Sequence, residues 1–129
     1  MNDNNIYRSG WFRKVVHGTY GYYLPKDYVF YVESNLQLER FIGAKYIAIW
    51  TYEEAMEFNE SMDEFVRREQ IFGIGSNGGG ETIAIDFNKS GKIFIFNTIS
   101  QERSEFIVIG DCFRDFIIRL ESGLSWMAE

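Results

Sequence analysis

Three groups of residues in this 129-residue chain have the types and spacings that chemistry uses. Gly73, Gly75 and Gly78 spell G-x-G-x-x-G within FGIGSNGGGETIAIDF at 72–87. In a dinucleotide site such glycines join a strand to a helix whose N-terminus holds the pyrophosphate. Here they are followed by ETIAIDF, which is rich in β-branched residues and alternates at Ile83, Ile85 and Phe87. That pattern predicts a strand, so the glycines are expected to form a strand-to-strand turn rather than a phosphate loop. The second group is a run of carboxylates: Glu53, Glu54, Glu57, Glu60, Asp63 and Glu64. Two of them could act as general acid and base, but no catalytic partner adjoins them, and a solvated helix face is expected. The third group is His17 and Cys112, the single histidine and the single cysteine. With no basic cluster beside it, Cys112 is expected to be a buried or half-buried structural thiol, and His17 a surface residue in a loop. Zinc-ligand spacing is absent. The expectation is a non-enzymatic chain with no cofactor.

The elements that must position these residues follow from periodicity and end signals. Residues 1–10 are expected to be loosely held, and 11–17 fits either helix or strand. LPKD at 24–27 has the form of a helix start, whereas YVFYV at 28–32 favours a strand. KYIAIW at 45–50 predicts a strand. Thr51 and Glu54 then form a T-x-x-E capping box, with Trp50 and Ala55 placed for a hydrophobic staple. The helix so begun is expected to run to Arg67, burying Tyr52, Ala55, Met56, Asn59, Met62 and Val66 along one stripe. Asn59, polar within that stripe, must find hydrogen-bond partners or cost about 1–3 kcal/mol. Further strands are expected at 70–74, 81–87, 92–97 and 105–109, the third apolar on both faces, which suits an interior strand covered on both sides or an exposed aromatic patch. Asp111 is expected to cap a final helix buried through Phe113, Phe116, Ile117 and Leu120, with Gly123 as its stop. The order predicts an α+β fold: an antiparallel or mixed sheet of about five to six strands with helices packed against it, in one domain spanning 1–129.

Charge bears on partners. Residues 1–50 carry net +2 and residues 51–129 net −8. Direct nucleic-acid binding is disfavoured for want of clustered lysine and arginine. Between 51 and 69 there are seven acids and two bases. Glu53 with Glu57, and Glu60 with Glu64, are like-charge i,i+4 pairs, each costing about 0.2–0.5 kcal/mol in an isolated helix. A face that tolerates such repulsion suits a positively charged partner. No apolar run is long enough for a bilayer and no secretory leader is visible, so a cytoplasmic location is expected.

Several pieces in sequence order resemble the SMI1/KNR4 family, also called the SUKH superfamily. They are LPKDY at 24–28, Phe41-Ile42-Gly43, the strand end Ile49-Trp50, and Glu53, Glu54 and Asn59 in the following helix. Gly75 to Glu81 with Asp86, and the segment 111–117, complete the match. The match spans roughly 24–121, and residues 1–23 diverge. Cys112 stands at a usual Ser position, and Asn35-Leu36-Gln37 replaces the usual N-G-G-type turn. The resemblance implies a helix over 25–34, against local propensity. It also implies a protein-binding role: bacterial members resemble immunity proteins that neutralise a toxin of a polymorphic toxin system, and fungal relatives act in cell-wall regulation. The expected partner is a protein, such as a basic toxin domain, bound through a surface that takes in Glu53, Glu57, Glu60, Glu64, Asn77, Glu81 and Asp86. A regulatory or scaffold domain is the alternative. A small-molecule or nucleotide binder using the glycine hairpin is a third reading; Asn77, Glu81 and Asp86 could then rim a ligand groove, although Asp86 is expected rather to bond the backbone of the turn at 88–91.

Overall fold

The computed structural model describes residues 3–34, 38–42 and 45–122. Asn35-Leu36-Gln37, Gly43 and the expected stop at Gly123 lie outside them. Six strands form one sheet in the order β1-β2-β3-β4-β5-β6, and every neighbouring pair is antiparallel. They are β1 (Glu39–Ile42), β2 (Lys45–Ile49), β3 (Ile71–Ser76), β4 (Glu81–Asp86), β5 (Lys92–Asn97) and β6 (Ile107–Gly110). The five α-helices among the described residues are α1 (Asp3–Tyr20), α2 (Lys26–Ser34), α3 (Tyr52–Ser61), α4 (Asp63–Glu69) and α5 (Phe113–Glu121). The fold is α+β, as expected.

The main core lies on one face of the sheet. Ile47, Ile49, Ile83, Ile85, Ile93, Ile95 and Ile109 alternate towards it and meet Phe12 and Val16 of α1, Val29 and Val32 of α2, and Phe116 and Leu120 of α5. A smaller cluster on the other face joins Phe65 and Val66 of α4 to Ala84 and Phe96. β5 therefore buries all four of Ile93, Phe94, Ile95 and Phe96, which makes it an interior strand covered on both sides.

Several elements differ from expectation. The helix α1 reaches back to Asp3, where loose chain was expected. Val15, Val16 and two glycines hide its signal, and only Phe12 and Val16 of its described side chains are fully buried. His17 thus lies in its last turn rather than in a loop. Residues 26–34, by contrast, are helical as the resemblance implied, because burial of Tyr28, Val29 and Val32 on one face outweighs their strand propensity. The helix expected to run to Arg67 ends at Ser61. The Ser61 hydroxyl donates to the Phe58 carbonyl at 2.8 Å, the chain bends at Met62 and α4 begins at once. The last helix is capped by Cys112, not Asp111: its sulfur accepts from the Asp115 N–H at 3.5 Å. Cys112 is exposed, contrary to the buried thiol expected.

The capping box forms as expected, with Thr51 and Glu54 exchanging bonds of 3.0 and 3.2 Å. It starts α3 beside β3, just past the end of β2. There Asn59, fully buried, accepts from the Gly73 N–H at 2.8 Å and donates to the Gly73 carbonyl at 3.0 Å. Its amide also donates to the Ala55 carbonyl at 2.7 Å. The side chain of Asn59 thereby does for Gly73 what a neighbouring strand residue would do. Gly73 must lack a side chain, since a Cβ there would lie 2.6 Å from the Phe58 ring. Replacing Asn59 by Leu strands both Gly73 groups, so urea unfolding is expected to show a loss of about 1–3 kcal/mol, or more if both penalties are felt in full.

Candidate functional site

Four of the carboxylates expected to bind a partner sit on two helices. Glu53, Glu57 and Glu60 project from α3 and are exposed; Glu64, also exposed, belongs to α4 beyond the bend. α3 itself carries four acids and no base. The two bases of the segment are turned to other work. Arg67 pairs with Asp63 at 2.8 Å, donates to the Thr19 carbonyl at 2.9 Å and covers the Tyr20 ring. Arg68 pairs with Glu69 at 3.2 Å and lies over Phe65, not beside Glu64. Both arginines are thus engaged away from Glu57 and Glu60.

The glycine segment is a β3–β4 hairpin, with a strand where a phosphate site needs a helix. Asn77 organises its tip: its carbonyl oxygen accepts from the N–H groups of Gly79 and Glu81 at 2.9 and 3.3 Å, and its amide donates to the Glu81 carboxylate at 2.7 Å. A Cβ on Gly75 would fall 2.2 Å from the Ala48 carbonyl oxygen, and Gly78 takes φ +76°. Gly73, Gly75 and Gly78 thus each answer a packing or turn requirement.

Asn77 and Glu81 are together, but Asp86 is not with them. It sits at the opposite end of β4, fully buried. One of its oxygens accepts from the Asn88 N–H at 2.9 Å, the turn bond expected. The other accepts from Arg103 at 2.5 Å. Arg103 also binds the Glu69 carboxylate at 2.6 Å and the Glu69 carbonyl at 2.7 Å, and covers the Phe106 ring. The Arg103 hydrogen bond is the chief reason the Glu69 pKa is lowered from 4.5, against a smaller opposing effect of burial. Burial works against the charge of Arg103, yet bonds to Asp86 and Glu69 more than offset it and raise its pKa. The groove of Asn77, Glu81 and Asp86 is therefore not assembled. No local pattern marks Arg103, which begins a single 3-10 turn (Arg103–Glu105) 17 residues from Asp86.

A cavity of about 410 Å³ opens elsewhere, lined by Tyr20, Gly21, Tyr22, Arg67, Gln70 and Phe87. Its rings are occupied with each other: Tyr22 stacks on Phe87 at 3.8 Å, and the Tyr22 hydroxyl donates to the Ile71 carbonyl at 3.0 Å. None of the candidate site residues Glu53, Glu57, Glu60, Glu64, Asn77, Glu81 and Asp86 lines it. His17 is exposed and stacks on Tyr23 at 4.0 Å. Among the described residues no group of three or more His, Cys, Asp or Glu side chains is placed to hold a metal ion. Among them, too, no helix is long and apolar enough to cross a membrane.

Fold and surface together define an α+β domain with an antiparallel six-stranded sheet and an acidic helix at its margin. No protein-family model matches the chain. No curated protein matches its sequence either.

Replacing Arg103 by Met leaves the Asp86 carboxylate buried and unpaired. Chemical denaturation at neutral pH is expected to show a loss of about 3–5 kcal/mol. A lowered carboxyl pKa contributes stability above the unfolded value of 4.5 that fades as pH falls through the folded one. The gap between the Arg103→Met variant and the parent should therefore narrow as Glu69 is titrated with acid.

Proposed function

We propose that this chain is a non-enzymatic protein-binding module that neutralises a basic partner by covering it, in the manner of an immunity protein of a polymorphic toxin system. The observation that carries this reading is the outer side of α3, with four acids, no base, and the nearby arginines committed to internal contacts. Like charges on one helix cost stability, and that cost is offset when an oppositely charged surface docks. The motif order from Leu24 to Glu121 supports the same family-level reading. Occlusion needs no catalytic group, and two of the carboxylates outside α3 are tied down within the molecule: Glu81 to Asn77, Asp86 to Arg103. The regulatory or scaffold reading differs only in the identity of the partner. A small-ligand role for the glycine hairpin is less well supported, since the Gly79 and Glu81 N–H groups bind Asn77.

The test is a pull-down from native lysate at two salt concentrations with mass-spectrometric readout. The expected capture is a protein with a basic toxin domain, held more weakly at higher salt. Charge reversal at Glu57 and Glu60 should weaken that complex at least tenfold, about 1.4 kcal/mol, without changing the melting temperature of the domain. Binding unaffected by the reversal would remove α3 as the contact surface.

A further inference from the structure

The outer face of β1 and β2 holds a second feature, on the side of the sheet away from α5. Arg40 points towards α5 and pairs with Glu121. Its strand neighbours Glu39 and Phe41 therefore point the other way. Phe41 is 74% exposed, although it lies in a regular strand opposite Tyr46. The two rings meet at 5.2 Å. Tyr46 is held from behind by the glycine hairpin: a Cβ on Gly78 would lie 2.8 Å from its ring, so only glycine lets the tyrosine settle there. One flank of the Phe41 ring thus rests on a fixed neighbour while the remainder faces water. Carboxylates stand beside the pair. Partial desolvation raises the pKa of the Tyr46 phenol, and the hydrogen-bonded Glu39 carboxylate and the charge of Glu54 raise it further.

Elsewhere this molecule fills such surroundings with its own arginines. Arg13 covers Tyr23, Arg67 covers Tyr20, Arg68 covers Phe65 and Arg103 covers Phe106. In the last three cases the same guanidinium also binds a carboxylate. No described arginine covers Phe41. An aromatic face with adjoining carboxylates suits a guanidinium, which stacks through its plane and donates through its edge. Lysine, a compact and strongly hydrated charge, suits it less.

We infer that Phe41, Tyr46, Glu39 and Glu54 form a receptor site for an arginine side chain of a basic protein partner. The inference rests on the protein-binding reading and adds to the acidic α3 surface, at its Glu54 end, an aromatic anchor that selects arginine over lysine. An arginine seated there would stack on Phe41 and donate to Glu39, whose carboxylate retains lone pairs beyond the one engaged by the Tyr46 hydroxyl.

The test is a titration of the full ¹⁵N-labelled chain with an oligo-arginine peptide at low ionic strength, with oligo-lysine of equal length as control. Amide shifts are expected at residues 39–41, 46 and 77–81, with tighter binding of oligo-arginine. The Phe41→Ser variant should weaken it about fivefold with an unchanged melting temperature, because the lost ring is solvent-facing. The Glu39→Gln variant, which keeps every apolar contact, should weaken it as well. Shifts confined to α3 and α4, equal for the two peptides and indifferent to Phe41→Ser, would overturn the arginine site while leaving the acidic-helix reading intact. Absence of saturable binding to oligo-arginine would also overturn it, and the lysate capture would then decide the wider reading separately. Loss of a self-associated form in the Phe41→Ser variant would make a second copy the occupant and likewise overturn it.

Discussion

The amide of Asn59 is the constraint on which the arrangement of this domain turns. A sheet edge cannot leave a buried N–H and C=O unpaired without a cost of about 1–3 kcal/mol for each group. Where β2 stops, β3 continues, and Gly73 needs a partner. Asn59 provides both a donor and an acceptor from a helix. This fixes how far along the sheet α3 sits and which way it is rotated. Tyr52, one residue into the helix, then reaches α2 through hydroxyl bonds of 3.1 and 2.7 Å to Val29 and Glu33. The same rotation leaves Glu53, Glu57 and Glu60 outside. A polar core residue and an acidic surface are thus two results of one helix placement.

Charge in this molecule is divided by task. Arg103 gathers Glu69 and Asp86 and joins the end of α4, the end of β4 and the loop before β6. Arg67 joins α4 to the end of α1 through the Thr19 carbonyl. These arginines are cross-braces, each satisfied by several acceptors and backed by an aromatic ring. The carboxylates of α3 take no part in such bracing through an arginine of the same helix, since α3 has none. Four of the chain's nineteen acids therefore lie on one helix that has no base of its own.

The sequence was most legible where the signal was local. The T-x-x-E box, the N-x-S-G turn after Asp86 and the double-faced apolar run of β5 each depend on residues within a few positions of one another. Asn59 was conspicuous as a polar intruder, although its partner Gly73 lay 14 positions away and was first noticed as part of a nucleotide motif. The rest depended on distant contacts. α1 hid because it is anchored by rings such as Phe12 on Tyr52, a pairing across 40 positions that no periodicity reveals. The bend at Met62 escaped because a serine turned back on its own helix looks the same in sequence as one facing water. β1 is a four-residue edge strand, too short to alternate convincingly. The carboxylates were visible as residues, but their division between two helices and the burial of Asp86 were not.

The plain up-and-down order of the sheet has a consequence for how the chain assembles. β3, β4, β5 and β6 pair with strands only a few residues away, so their hairpins close at little entropic expense. The junction of β2 with β3 is different, because the whole of α3 and α4 intervenes. Its register covers only Ala48 with Ser76 and Ile49 with Gly75. That seam requires the largest loop closure in the sheet for the fewest strand pairs, which makes it the natural boundary between two cooperative units. Hydrogen exchange would then run faster through β1 and β2 than through the four-strand meander, with Asn59 acting as the latch that holds the two parts in register.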